Sequence, residues 1–255
     1  MLELNGIYKK FHAGTEDEAV LFDNFSFRIE TGEFVSIVGS NGSGKTTLLS
    51  LVCGSQLPDK GSIVFGGKDI TGESEHKRYK TIARVHQDPK MGTCSGLTIL
   101  ENMALADNKG KTFGLSKGIN KSRISYYKEQ LALCNMGLEN RLNAIAGSLS
   151  GGQRQALALV LVNMNNDAEL LVLDEHTAAL DPKSSETLMQ LTAKFIARRG
   201  VSTLMVTHNL RHALTYGDRL VMMNDGKIVM DLNSEEKAAT NLSDLMDAFN
   251  RIIIK

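Results

Sequence analysis

The run Gly39-Ser40-Asn41-Gly42-Ser43-Gly44-Lys45-Thr46 constrains this chain more than any other feature. Residues 33–39 before it are apolar enough for a buried strand. Leu48, Leu49, Leu51 and Val52 after it carry the spacing of a helix that begins near Lys45. Strand, glycine-rich loop and helix in that order form the context in which G-x-x-x-x-G-K-[ST] cradles phosphate. Gly39, Gly42 and Gly44 let the backbone wrap an anion with its N–H groups inward, and the helix N-terminus adds partial positive charge. Lys45 reaches the outer phosphates and the Thr46 hydroxyl is placed as a magnesium ligand. Ser40, Asn41, Ser43 and Thr47 complete the candidate contacts.

A second feature belongs with the first. Leu170-Leu171-Val172-Leu173 reads as a buried strand ending in two acids, Asp174 and Glu175. Adjacent carboxylates at a buried strand end repel and are costly to desolvate. A phosphate and metal site accounts for both, with Asp174 holding Mg²⁺ and Glu175 polarising an attacking water.

Around these motifs the pattern alternates. Leu2 and Leu4, then Phe25, Phe27 and Ile29, have strand periodicity, with a polar hairpin tip over 12–19. A short strand over 63–65 lies between turn signals at Asp59-Lys60-Gly61 and Gly66-Gly67-Lys68. Residues 90–160 read as mostly helical, with helices over 98–106, 121–136 and 151–164. Strand logic returns at 170–173, 203–206 and 219–223, with a helix over 184–199. Such alternation implies a parallel sheet covered on both faces, and makes the helical middle an insert. Residues 243–255 read as a short amphipathic helix capped by Ser243 that packs back through Leu242, Leu245, Met246, Phe249 and the isoleucines 252–254.

Composition excludes several classes. Lys+Arg and Asp+Glu are both 29, so the formal charge is zero and a general nucleic-acid binder is disfavoured. A hydrophobic share of 42% excludes a mainly disordered chain. The longest fully apolar run, 156–162, is far short of the ~20 residues of a spanning helix. The start lacks the pattern of a secretory signal. Cys53, Cys94 and Cys134 form no C-x-x-C pair and read as buried or half-buried thiols.

With the phosphate loop, the acidic strand end and Leu149-Ser150-Gly151-Gly152-Gln153 together, the chain resembles the nucleotide-binding subunits of ATP-binding cassette transporters. The pentapeptide precedes a helix and its serine lies 24 residues ahead of Asp174, as in that family. The resemblance covers nearly the whole chain. It implies an α/β fold with a P-loop, RecA-like core (1–87 and 162–242), an N-terminal antiparallel β subdomain, an inserted α-helical subdomain (88–161) and a C-terminal helix (243–255). It implies ATP and Mg²⁺ as cofactors. Gln87 is similar to the glutamine that joins core to insert and senses the metal, and His208 to the switch histidine at the γ-phosphate. Asp181 is similar to the acid of the loop that meets the opposite protomer. Phe11 aligns with the aromatic that stacks on adenine, with Tyr8 as the alternative.

The resemblance further implies a head-to-tail dimer in which Ser150, Gly151 and Gly152 of one copy face the nucleotide of the other. Integral membrane permease subunits and, indirectly, an extracytoplasmic substrate-binding protein are the implied partners, with no nucleic acid. The subunit would lie on the cytoplasmic, inner face of the membrane. A single cassette without a fused membrane segment fits a bacterial importer. Asp88-Pro-Lys-Met-Gly-Thr and Asp174-Glu-His-Thr-Ala-Ala-Leu-Asp-Pro resemble importers of amino acids, tryptophan or aromatic ones, with a permease like those for branched-chain amino acids. The alternatives are an exporter or lipoprotein-release ATPase and a soluble cassette acting on ribosomes or DNA.

Two departures stand out. Ala178 replaces a frequent serine, and His176 replaces the common proline after Glu175. His208 and His212 are four apart, yet lack the Glu of H-E-x-x-H, so His212 reads as a helix surface residue. Lys109, Lys111, Lys117, Lys121, Arg123 and Lys128 make a basic stretch that is either a solvated face or an attraction for anionic lipid headgroups. Met91, Leu97, Ile99, Leu100 and Met103 are either core or the lining of a groove for a membrane subunit's helix.

Overall fold

Alternating side chains at the N-terminus make an antiparallel pair, β1 (Leu2–Phe11) and β2 (Ala19–Ile29), with Leu4 opposite Phe27 and Ile7 opposite Phe25. The computed structural model describes residues 1–108 and 118–253. After the hairpin come β3 (Phe34–Gly39), α1 (Lys45–Cys53), β4 (Lys60–Phe65), β5 (Lys68–Asp69), α2 (Glu75–Arg78) and β6 (Ile82–Val85). The middle holds α3 (Ile99–Asp107), α4 (Ile124–Ala132) and α5 (Gly151–Asn163), with short 3-10 turns between. Then follow β7 (Leu170–Asp174), α6 (Pro182–Arg199), β8 (Ser202–Val206), α7 (Leu210–Thr215), β9 (Arg219–Asn224), β10 (Lys227–Leu232), α8 (Ser234–Ala239) and α9 (Leu242–Ile253).

The strands form two sheets. One is antiparallel in the order β2-β1-β4-β5, and the other runs β10-β9-β3-β8-β7-β6. In the second, β9 through β6 are parallel and β10 closes the edge antiparallel. The two-residue period of a strand divides its side chains between faces. Val35, Ile37, Leu170, Val172, Leu204 and Val206 join α1 and the inner face of the antiparallel sheet, so α1 lies between the sheets. Phe34, Leu171, Leu173 and Met205 turn the other way, into an apolar cluster continuous with α3, α4, α5 and α6. Val38, Leu220 and Met222 on that side are covered by Ala213 of α7 and Leu245 of α9.

Helix boundaries follow local chemistry. Asp181 caps α6, Pro182 occupies its first turn, and Gly200 ends it in the left-handed region at φ 62°. The C-terminal carbonyls of α1 are met by a buried cation. Arg78 Nη1 donates to Leu51 O at 2.6 Å and Val52 O at 3.0 Å, and Nη2 to Ile70 O at 2.6 Å and Thr71 O at 3.0 Å.

The structure departs from the sequence reading in places. The strand β6 was not legible, because only four residues long it carries Arg84 between apolar neighbours. The helix read over 121–136 is a 3-10 turn followed by α4, and the chain turns through Asn135 (φ 52°) and Gly137 (φ 71°). Asn241, not Ser243, caps α9, its side-chain oxygen accepting from Asp244 N at 2.9 Å. In α9, Leu245 is buried and Phe249 packs beside it, while Met246 is exposed. The isoleucine side chains at 252–254 and Lys109, Lys111 and Lys117 lie outside the described residues. Cys53 and Cys134 are buried thiols pushed up to about 12 by desolvation, whereas Cys94 is exposed.

Candidate active site

The cradle forms where β3 hands over to α1. Gly42 and Gly44 sit at φ 80° and 102°, backbone that an L side chain rarely adopts. Gly39 has no room for more: a Cβ there would lie 2.3 Å from the Met223 carbonyl oxygen. No side chain caps the first turn of α1, so its leading N–H groups are available to a ligand. Lys45 folds back over the loop, its Nζ donating to Gly39 O at 2.8 Å, Ser40 O at 2.7 Å and Ser43 Oγ at 3.3 Å. Burial lowers the Lys45 pKa, and the charge of Glu175 works against that shift. Asn41, Gly42 and Thr46 are exposed, Ser40 and Thr47 half-buried, and Ser43 buried.

The strand ends beside the cradle bring the acids. β7 finishes at Asp174, and Glu175 turns the chain with φ 42°. Glu175 N donates to Val206 O at 2.9 Å, which ties the turn to the end of β8. From there the chain reaches His208, whose Nδ1 lies 3.4 Å from Glu175 Oε2. Asp174 Oδ2 accepts from Arg84 Nη2 at 2.7 Å. Two residues are thus brought to a lysine-lined cradle from separate strand ends: a carboxylate able to polarise water and an imidazole beside it.

The structure gives His176 a place. Its ring is buried, with Nε2 3.2 Å from Thr192 Oγ1 of α6, and desolvation pushes its pKa down to about 3. It is a neutral anchor for the turn after Glu175. His212 is also buried rather than on the surface, its Nε2 3.5 Å from Glu186 Oε2 and its ring edge-on to Tyr216. The helix α7 is covered on that side by α6, which a local reading of the sequence does not reveal.

The serine–glycine motif opens α5. Ser150 is exposed and forms a capping box with Gln153: its side chain accepts from Gln153 N at 3.3 Å, and Gln153 Oε1 accepts from Ser150 N at 3.3 Å. Gly151 is exposed and Gly152 lies against Ser184. Asp181 accepts from Lys183 N and Ser184 N at 3.1 Å each. Among the described residues no hydrogen bond joins Ser150–Gln153 or Asp181 to residues 39–47. Gln87 is exposed, and the segment before it is tied to α5 by Gln155 Nε2 donating to His86 O at 2.9 Å. Phe11 is half-buried at the end of β1 with Lys9 Nζ 5.8 Å from its ring centre, while Tyr8 has Lys60 Nζ 5.5 Å away.

Two residues here escaped the sequence reading, Arg84 and Gln155. Nothing in a four-residue strand marks Arg84 as the partner of Asp174, and Gln155 follows Gln153 and Arg154 in the first half of α5, with its partner His86 far away in sequence. The donors expected from the sequence, Thr46, Gln87 and Asp174, would offer one hydroxyl, one amide and one carboxylate, all hard oxygen. Asp174 Oδ1 makes no hydrogen bond among the described residues. Few protein ligands, hard oxygens and an adjacent phosphate cradle fit Mg²⁺ rather than an all-protein metal cage.

Comparison with known proteins places the chain among transporter cassettes. The family profile described as ABC transporter matches residues 22–178. A tyrosine transport ATP-binding protein of Clostridioides difficile (strain R20291) is 41% identical over 249 residues, covering 98% of this chain and 98% of that protein. A methionine import ATP-binding protein of Listeria monocytogenes serovar 1/2a is 32% identical, covering 94% of this chain and 70% of that protein. Among solved structures, a dimeric post-hydrolysis ATP-binding cassette bound to ADP and Pi superposes with a TM-score of 0.78 at 28% identity, covering 92% of this chain and 99% of the other. The ADP conformation of another cassette superposes with a TM-score of 0.80 at 26% identity, covering 100% and 98%.

Proposed function

The chain belongs to the ABC transporter family, whose cassettes bind and hydrolyse ATP, and on that premise we propose that two copies of it power a bacterial importer of amino acids by closing head to tail on two ATP molecules. The observation that carries the dimer is a separation within one chain. Lys45, Glu175 and His208 gather at the cradle, while among the described residues no hydrogen bond joins the exposed helix tip of Ser150 and Gly151 to it. A second copy supplies what one lacks: its Ser150–Gly152 tip meets the γ-phosphate, and Asp181 meets the facing loop.

Within each site the glycine amides and Lys45 hold the β- and γ-phosphates, and Phe11 stacks on adenine. Thr46, Asp174 and Gln87 would hold Mg²⁺, which would supply neutralisation of the charge that develops on the phosphate oxygens. Glu175, next to His208, orients the water and takes its proton. Opening after hydrolysis returns the two copies to their separated state.

Division of labour follows the chain: 1–87 and 162–242 form the catalytic core, 88–161 the helical insert and 243–255 the terminal helix. No helix among the described residues is long and apolar enough to cross a membrane. Integral permease subunits, as in the family's import systems, form the path for the solute. An open cleft of about 720 Å³ beside the insert, with Met91 and Leu105 exposed on its wall, is our site for the permease's helix. Ile99 and Met103 are fully buried and belong to the core. The subunit then lies on the cytoplasmic face, and an extracytoplasmic binding protein delivers the solute. An aromatic amino acid is the cargo we assign, supported by the 41% identity to a tyrosine transport protein. Copurification with a membrane subunit, followed by reconstitution, tests this. ATP turnover should rise with tyrosine or tryptophan and not with sugars; stimulation by an unrelated solute alone overturns the cargo.

A further inference from the structure

We propose that Arg84 is a positioning residue that fixes the Asp174 carboxylate and, as a cation beside the metal position, sets how tightly the site holds a divalent ion. This rests on the reading of Asp174 as the acid of the metal site.

Arg84 sits on β6, whose register against β7 pairs it with Val172, two residues before Asp174. Ile82, Val172 and their strand neighbours on that face belong to the apolar cluster under α1. A guanidinium in that setting is expensive to desolvate, and an apolar residue of similar size would pack there as well or better. Its one described hydrogen bond to a side chain is Nη2 to Asp174 Oδ2 at 2.7 Å, and its Nε is buried without a partner. The side chains are 10% and 14% exposed, so the pair is little screened by solvent. Stability alone does not account for such an arrangement, whereas orientation of the carboxylate does. With Oδ2 engaged by Arg84, Oδ1 is the oxygen left to meet an ion or its water. The same charge that orients Asp174 also repels the ion.

Removing the charge therefore separates two effects. Arg84→Met leaves Asp174 without its cation and lifts the repulsion, so a divalent ion binds more tightly, while the carboxylate is no longer held in one orientation, so turnover falls. Damage to the fold would weaken both. The measurement is Mn²⁺ affinity, read by electron paramagnetic resonance, of protein saturated with a non-hydrolysable ATP analogue. Arg84→Met should tighten Mn²⁺ roughly three- to tenfold while lowering kcat. Arg84→Lys should stay near the parent in both. If the methionine variant does not fold, Arg84→Gln, which removes the charge and keeps a donor, should give the same tightening. Unchanged or weakened Mn²⁺ binding in the folded charge-free variant overturns the role of Arg84. Asp174→Asn separates the two failures. If it weakens Mn²⁺ and the Arg84 variants do not tighten it, only the Arg84 proposal falls; if it leaves Mn²⁺ unaffected, the metal reading of Asp174 falls as well.

Discussion

Lys45 donates to three oxygens of its own loop, two of them backbone carbonyls, so its ammonium is held at the centre of the glycine backbone. A phosphate entering the cradle meets a positioned cation in partly buried surroundings, where charge-assisted hydrogen bonds are strong. Lys45→Ala should weaken ATP binding by at least about tenfold in calorimetry; an unchanged affinity would remove the lysine from the site. Arg78 is a different kind of cation. Its guanidinium satisfies the carbonyls of Leu51, Val52, Ile70 and Thr71, joining the end of α1 to the segment after β5. Arg78→Met strands these carbonyls and should cost about 2–4 kcal/mol in denaturant unfolding. A midpoint equal to the parent's would show that water replaces the guanidinium without loss.

The element scale explains which parts were legible in the sequence. Strands that alternate, such as β1 and β2, and strands that end in motifs, such as β3 and β7, announce themselves through side chains on the strand itself. So do helices whose caps are local, as α5 with Ser150 and α6 with Asp181 and Pro182. Ser150→Ala removes half of the capping box and should cost about 1 kcal/mol of stability in the isolated chain, measurable by thermal melting; a loss several times larger would mean that Ser150 holds more than its own helix. What was not legible depends on contacts distant in sequence. β6 is defined by its ladder to β7, His212 is buried by α6, and the Arg84–Asp174 pair spans two strands far apart in the chain. The amphipathic pattern of the terminal helix is local to its sequence, yet its cap depends on which residue meets the Asp244 amide. Leu245 closes an apolar cluster over β3, β9 and α7, so Leu245→Ala should destabilise by about 2–4 kcal/mol. A cost below about 0.5 kcal/mol in urea unfolding would mean that α9 adds little to the core.

For the whole molecule the motifs matter through their separation. The cradle, Glu175 and His208 share one end of the parallel sheet, and among the described residues no hydrogen bond joins the Ser150–Gly152 tip of α5 to its own cradle. Sequence order alone indicates the motifs; only their placement distinguishes a site that one chain completes from a site that two chains complete. In the proposed head-to-tail dimer each triphosphate would bridge both copies, so nucleotide would favour closure and loss of the γ-phosphate would reverse it. Glu175→Gln keeps the hydrogen-bonding shape of the side chain and removes its ability to take a proton, so it should bind ATP and remain closed. The most direct measurement is the mass of this variant by light scattering at saturating ATP and Mg²⁺, with nucleotide occupancy checked by calorimetry. Twice the protomer mass, reverting to one protomer when Ser150 is also replaced by a bulky arginine, is the expected result. A single-protomer mass with nucleotide fully bound would contradict the two-copy site.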